Sequence, residues 1–314
     1  MDGRKIVNIQ DKSRWAVVLA GGDGLRLRSL TRAIAGDERP KQFCALLEGE
    51  TLLQQTVRRV AGVVRPSRTR VVLTRDHEPF FDSQTKEAET SVIIQPANRG
   101  TAPAILYSLL SIESEDRHAQ VALFPADHYY ADDVAFTDYV DLAFQAVARR
   151  PGLVILLGIV PGGPEVDYGW IQPGEPIHGV LKGELFRVRR FWEKPSLEVA
   201  KDLLAHGWLW NSFVFVGALH SLLDLIRNSV PKLYRCFETV RPAIGTPAES
   251  GVANELYARI SSVDFSGQVL SASPRALTVL PVADTGWTDM GNVDRVLGVL
   301  ESRARQPVEM DQAS

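Results

Sequence analysis

Residues 15–27 read Trp-Ala-Val-Val-Leu-Ala-Gly-Gly-Asp-Gly-Leu-Arg-Leu. The run Trp15 to Ala20 is short, continuously apolar and broken at Gly21, as in a strand buried on both faces. Gly21, Gly22 and Gly24 leave backbone amides free to approach a phosphate chain without Cβ obstruction, and Arg26 adds a fixed charge with a planar donor fork. The glycines alone would equally suit a tight strand-to-loop turn. Two familiar phosphate motifs fail here. GxGxxG would need glycine where Leu27 stands, and GxxxxGK[ST] is absent.

Outward from this stretch the same rhythm repeats. Leu52 to Val64 carries apolar residues at helical spacing, and Val71–Leu73, Val92–Ile94, Val121–Phe124 and Val154–Leu157 are further short apolar runs. Each is separated from the next by enough chain for a crossover helix, which predicts an α/β fold: a Rossmann-like mixed, mostly parallel sheet with helices on both faces. Beyond about residue 160 the pattern loosens into Gly/Pro-rich turns, with a helix predicted over Ser196–His206 and more between Leu219 and Ile260. Phe213 to Val216 reads as a buried strand, and Trp170 and Trp210 as core aromatics. We expect a polar segment at 1–12, one continuous domain at 13–304 and a polar tail at 305–314. Within the domain, residues 13–160 form one half and 161–304 the other.

The chain has 314 residues, 45% of them hydrophobic, enough for one large domain with a sizeable core. Its 35 Lys+Arg against 38 Asp+Glu leave a net charge of −3, so no global basic field gathers nucleic acid or anionic lipid. Any anion must be held locally. Cys44 and Cys236 are far apart with no metal-ligand spacing, and the N-terminus lacks an apolar core. The longest apolar stretch, Leu153–Val160, falls far short of the roughly 20 residues that span a bilayer. A cytoplasmic location, without membrane or nucleic-acid partners, is the expectation.

In open α/β sheets ligands collect beyond the carboxyl ends of the strands. That rule makes the residues following each apolar run, the glycine loop among them, the ones to inspect. Pro40-Lys41-Gln42-Phe43 closes the loop that follows, and a lysine presented by a rigid proline suits a polyphosphate, although a lone lysine is usually only solvated. No Ser/His/Asp or Cys/His nucleophile is assembled.

The stretches LAGGDGLRL and RPKQF resemble the signature of sugar-nucleotide pyrophosphorylases, nucleotidyltransferases that join a nucleoside triphosphate to a sugar 1-phosphate. Later segments sharpen the resemblance to the mannose-1-phosphate guanylyltransferases: Gln95–Ala104, Phe124–His128, Asp167–Ile171, Phe191–Pro195, Trp210–Ser212 and Trp287–Gly291, in that order. The resemblance implies the nucleotide-diphospho-sugar transferase fold, with GTP and mannose 1-phosphate as substrates and Mg²⁺ as cofactor. It leaves room for a homodimer.

Roles follow residue by residue. The resemblance implies that Asp127 and Asp289 hold Mg²⁺, that Arg26 and Lys41 grip the triphosphate, and that Lys194 neutralises the sugar phosphate; these five are the catalytic set. Leu19, Ala20, Gly21, Gly22 and Gly24, with Asn98, Arg99, Gly100 and Thr101, would face the nucleotide. Tyr168, Gly169, Glu193, Lys194 and Asn211 would form the sugar-phosphate site. Taken alone, Asp127 and Asp289 could be caps or turn residues, an adjacent Glu193-Lys194 pair is ordinarily solvated surface, and His128 reads as a structural neighbour. Three departures stand out. The usual GTRL is Gly24-Leu25-Arg26-Leu27, RNTAPA begins Arg99-Gly100-Thr101, and WNSG ends in Phe213, which puts bulk near the sugar site.

Overall fold

The computed structural model describes residues 13–47, 49–85, 89–181 and 185–305. The predicted segment 1–12 and all but the first residue of the predicted tail lie outside that range. Among the described residues one sheet of nine strands organises the fold, in the order β3-β2-β1-β4-β8-β5-β9-β7-β6. The strands are β1 (Arg14–Leu19), β2 (Thr69–Thr74), β3 (Ser91–Gln95), β4 (Gln120–Pro125), β5 (Val154–Ile159), β6 (Gly169–Pro176), β7 (Phe186–Glu193), β8 (Leu209–Ala218) and β9 (Thr278–Val282). The first four pair in parallel, as the alternating pattern predicts, and β5 pairs in parallel with β9. Between them β8 runs antiparallel to both β4 and β5. Its run Val214-Phe215-Val216 is buried on both faces, so it takes a central place; apolar patterning carries no information about strand direction.

Alternation within each strand splits the core into two layers. Val17, Val72, Leu123, Leu156 and Phe215 face α4 (Thr101–Glu115), α7 (Leu219–Ser229), α8 (Pro231–Phe237) and α9 (Glu249–Arg259). Ala16, Val18, Val71, Phe124, Ile155 and Val216 face α2 (Leu52–Ala61) and α5 (Asp133–Arg149). Helix α2 begins at a capping box, Thr51 accepting from Gln54 N–H while the Gln54 side chain accepts from Thr51 N–H. Ser196 caps α6 (Leu197–Ala205), which sits inside the predicted range 196–206. Helix α1 (Arg28–Ala35) follows the glycine loop, and α10 (Val293–Arg305) packs through Val296 and Val299 on Leu27, Cys44 and Leu47. Helix α3 (Glu78–Thr85) completes the set. Among the described residues, no helix is long and apolar enough to cross a membrane.

One irregularity shapes the site. The β5–β8 register shifts so that Leu156 faces Phe215 while Gly158 faces Asn211. The two extra residues on β8, Ser212 and Phe213, form a bulge. Ser212 Oγ donates to Leu157 O at 2.6 Å and accepts from Val214 N–H, and Phe213 takes a left-handed φ of 59°. Bulges favour glycine at a left-handed position, which explains why a glycine is familiar here and why phenylalanine is strained.

Candidate active site

A cavity of about 590 Å³ opens over the carboxyl ends of β1 and β4 and continues across β6, β7 and β8. The glycine loop forms one wall. A Cβ on Gly21 would stand 2.9 Å from Thr74 Oγ1 and 3.0 Å from Gln95 Nε2, so the loop lies flush against the ends of β2 and β3. Gly24, at φ 57°, lets Pro40 and Lys41 pass behind the loop, where a Cβ would meet Lys41 N at 3.0 Å. Gln42 Nε2 donates to the carbonyls of Ala20 and Gly22 and fixes the loop from below. Asp23 ties it sideways, accepting from Asn98 Nδ2 and lying 3.3 Å from His77 Nε2.

Most of the residues expected at the site line this cavity: Leu19, Gly21, Gly22, Arg26, Asn98, Gly100, Thr101, Asp127, Tyr168, Gly169, Glu193, Lys194, Asn211 and Asp289. Four do not line it. Ala20 and Gly24 are the underside of the glycine loop. Arg99 turns away, donating through Nε to Tyr257 O at 2.9 Å. Lys41 is buried behind the aspartates, its Nζ donating to Asp289 O at 2.6 Å and Met290 O at 3.1 Å and standing 3.2 Å from Asp127 Oδ2. It ties together two loops that are 162 residues apart, Asp127 and Asp289.

Asp127 follows β4 and Asp289 precedes α10. An antiparallel bridge between Tyr129 and Thr288 holds their loops side by side. Asp289 Oδ1 accepts from Tyr168 OH, Gly291 N–H and Arg295 Nη1, at 3.1, 2.8 and 2.9 Å. Burial alone would raise the Asp289 carboxyl. Neighbouring His128, Lys41 and Arg295, with the Gly291 N–H, outweigh it and hold the group below the usual carboxylate range. Two carboxylates lining one cavity form a hard oxygen donor set that fits Mg²⁺, an ion that completes its octahedron with water and substrate phosphate. No group of three or more His, Cys, Asp or Glu among the described residues would cage an ion by itself. Burial lowers the His128 pKa, and its Nδ1 accepts from Trp287 Nε1 at 3.2 Å, so the ring packs as a structural neighbour of the two aspartates.

The opposite end of the cavity is built from β6, β7 and the β8 bulge. Gly169 is set by close packing, since a Cβ there would lie 2.8 Å from Cζ of the Phe191 ring and 2.7 Å from Glu193 Oε2. That oxygen is buried and makes no hydrogen bond, and burial pushes the Glu193 carboxyl up, against the pull of Lys194. Lys194 is exposed, with a left-handed φ of 48° that aims it away from the strand. Asn211 spends its Oδ1 on Phe213 N–H and keeps its amide NH₂ for the cavity. Phe213 is half-buried, not core: its ring packs edge-on to Phe215 and Phe265 and its remaining surface is cavity wall. Trp170 is fully buried, and Trp210 packs against Tyr168 and Trp287.

Sequence reasoning missed Asp264, Ser262 and Ser266, which reach the cavity through a loop packed on Gly100, and it missed Arg295. A Cβ on Gly100 would stand 2.5 Å from Val263 O, the one signal that another chain segment lies there. Arg295 carries no motif, and although Asp289 is six residues away, its other partners Glu165, Asp167 and Tyr168 come from a distant segment.

An α/β sheet with a glycine loop after its first strand, two aspartates at the cavity floor and a carboxylate–lysine pair opposite defines the nucleotide-diphospho-sugar transferase fold. The chain belongs to the nucleotidyl transferase family, whose model matches residues 15–305. It is 31% identical to mannose-1-phosphate guanylyltransferase ManC of Salmonella typhimurium and 32% identical to a mannose-1-phosphate guanylyltransferase of Escherichia coli. Each alignment covers 88% of this chain and 58% of the relative. The chain thus spans under three-fifths of the length of these curated relatives. Among solved structures, one described as a mannose-1-phosphate geranyltransferase from Thermus thermophilus superposes with a TM-score of 0.77 at 31% identity, covering 91% of this chain and 79% of that one. A UDP-glucose pyrophosphorylase bound to UDP-glucose shares the fold, with a TM-score of 0.57 at 14% identity, over 94% of this chain and 99% of the other.

Proposed function

We propose that this chain transfers GMP from GTP to mannose 1-phosphate, releasing pyrophosphate and forming GDP-mannose. One observation carries the reading. Asp127 and Asp289 meet on the floor of a single cavity, with Gly21, Gly22 and Arg26 on one side and Glu193, Lys194 and Asn211 on the other. The names of the curated relatives favour guanosine and mannose.

An oxygen of the sugar phosphate attacks the α-phosphorus, the new P–O bond forms, and the bond to the β-phosphate oxygen breaks with its electrons leaving on pyrophosphate. The nucleophile is already anionic, so the chain supplies no general base and forms no covalent intermediate. Its task is to hold two anions in line. Arg26 and the amides of Gly21 and Gly22 bind the triphosphate, and Lys194 binds the sugar phosphate. Glu193 and Asn211 orient the hydroxyls. Lys41 acts from behind, holding Asp127 and the 289–290 backbone in place. Asp127 and Asp289 would hold Mg²⁺, which when bound offsets charge between the two substrates.

The test is pyrophosphate release with GTP, mannose 1-phosphate and Mg²⁺, each substrate then being exchanged for its analogues. Faster turnover with another sugar 1-phosphate or another triphosphate would overturn the substrate pair and leave the reaction class standing. Phe213 on the cavity wall favours a second reading of this kind, a different sugar 1-phosphate. No pyrophosphate from any combination would sink the enzymatic reading and favour a silent sugar-nucleotide sensor.

A further inference from the structure

The loop between β5 and β6, residues 160–168, carries Tyr168 and leads directly into Gly169 of the sugar-phosphate end. It reads Val-Pro-Gly-Gly-Pro-Glu-Val-Asp-Tyr. Among the described residues its main chain is poorly secured: Val160 N–H donates to Val282 O at the start, Glu165 N–H to Gly163 O in the middle, and Tyr168 O accepts from Lys194 N–H at the end. Two adjacent glycines and so few ladder bonds leave such a segment prone to open locally. Side chains hold it instead. Trp170 Nε1 donates to Glu165 O at 2.9 Å, the Tyr168 ring packs on Trp210 and Trp287, and Glu165, Asp167 and Tyr168 all meet one guanidinium.

That guanidinium belongs to Arg295, on α10, and it is largely buried, at 13% side-chain exposure. Its Nη2 donates to Glu165 Oε2 at 2.5 Å and reaches Asp167 Oδ2 at 3.5 Å. Its Nη1 donates to Asp289 Oδ1 at 2.9 Å, and its flat face lies 4.5 Å from the centre of the Tyr168 ring. Tyr168 OH donates to the same Asp289 oxygen. A planar fork with donors on two sides can satisfy carboxylates on both and stack on an aromatic at once, which a lysine ammonium cannot do.

We propose that Arg295 is a positioning residue that locks the 160–168 loop onto Asp289, so that the sugar-phosphate end of the cavity and the aspartate floor are set by one side chain. It touches neither substrate in this reading. Asp289 Oδ1, engaged by three donors, fixes the carboxylate so that Oδ2 is the oxygen presented, and Asp167 is held between Arg295 and Arg26, whose Nη1 stands 3.5 Å away. The inference builds on the proposed transferase reading, but its geometric content is independent of which sugar is used.

The experiment compares wild type, Arg295→Lys and Arg295→Ala in three measurements. Amide hydrogen exchange should rise at least tenfold across 160–168 in Arg295→Ala, while amides of β1, β2 and β4 stay within twofold. Steady-state kinetics should show the KM for mannose 1-phosphate raised about tenfold, with the KM for GTP within about threefold, and Arg295→Lys should recover only part of the loss. Titration with Mn²⁺ alone, followed by electron paramagnetic resonance, should show weaker ion binding in Arg295→Ala. The proposal is overturned if loop exchange is unchanged, or if both KM values move together while melting temperature falls, the mark of a merely structural residue. Wild type that shows no turnover would defeat the transferase reading alone, because exchange across 160–168 still decides the locking role.

Discussion

Phe213 tests the physical account of the sugar end most sharply. Its ring lies against Phe215 and Phe265, with centroids at 6.0 and 6.2 Å, and its backbone sits at a φ of 59°. Removing a fully buried phenylalanine costs about 3 to 5 kcal/mol, and a ring open to a cavity on one side loses less, about 2 to 3 kcal/mol. A left-handed backbone costs an L-residue roughly 1 to 2 kcal/mol, which alanine keeps and glycine relieves. Glycine's greater freedom in the unfolded chain takes back about 0.5 to 1 kcal/mol. Phe213→Gly should therefore be more stable than Phe213→Ala by about 0.5 to 1 kcal/mol, the reverse of the usual order within a strand. Guanidinium unfolding of wild type and both variants measures this difference directly. Alanine equal to or better than glycine would refute the strain argument. On the same two proteins the order of preference among sugar 1-phosphates should change, since an apolar wall discriminates by roughly 1 to 3 kcal/mol, while the KM for GTP stays nearly constant.

Asp127→Asn and Asp289→Asn should each lose most turnover and stay folded, with chelator abolishing wild-type activity; near-normal rates at saturating Mg²⁺ would remove either from the ligand set. Lys41→Ala, which its place in the sequence alone would assign to GTP, should instead reduce turnover at saturating levels of both substrates and lower stability by about 1.5 to 3 kcal/mol, because it removes the buried ammonium that Asp127 and two carbonyls share. A selective rise in the KM for GTP would contradict this. Lys194→Ala should raise the KM for the sugar phosphate, a lost charge-assisted contact being worth about 1.5 to 3 kcal/mol, and an equal rise for GTP would refute the division of the cavity. Burial raises the Glu193 pKa, so its folded form disfavours ionisation; that carboxyl contributes most to stability below its unfolded pKa and loses this as pH rises through the folded value. Glu193→Gln should thus gain stability over wild type near neutral pH, with the gain shrinking towards about pH 4, and melting curves across that range check the sign.

Much of the fold was legible because it is written in local pattern. Short apolar runs followed by glycine or aspartate mark strands that end beneath a site, and α2 and α6 carry their caps in Thr51 and Ser196. The end of the first strand yielded Gly21 and Gly22 without reference to anything distant, and the family resemblance picked out Asp127 at the end of another. Family resemblance supplied Asp289, Glu193 and Lys194. The direction of β8 was not legible, since a run buried on both faces reads the same whether parallel or antiparallel.

What the sequence by itself determined is which residues end strands, cap helices and carry charge, because those properties depend on neighbours a few positions away. What only the tertiary structure decided is which of those charges face the cavity. Lys41 and Arg99 carry the charge expected of ligand-binding residues, yet their heads are taken by the carbonyls of Asp289, Met290 and Tyr257. Arg295 carries no motif and holds Asp289, Glu165 and Asp167 together. A charged side chain is several bonds long, and where its head comes to rest depends on desolvation and on partners brought near by folding, which residue order alone does not specify.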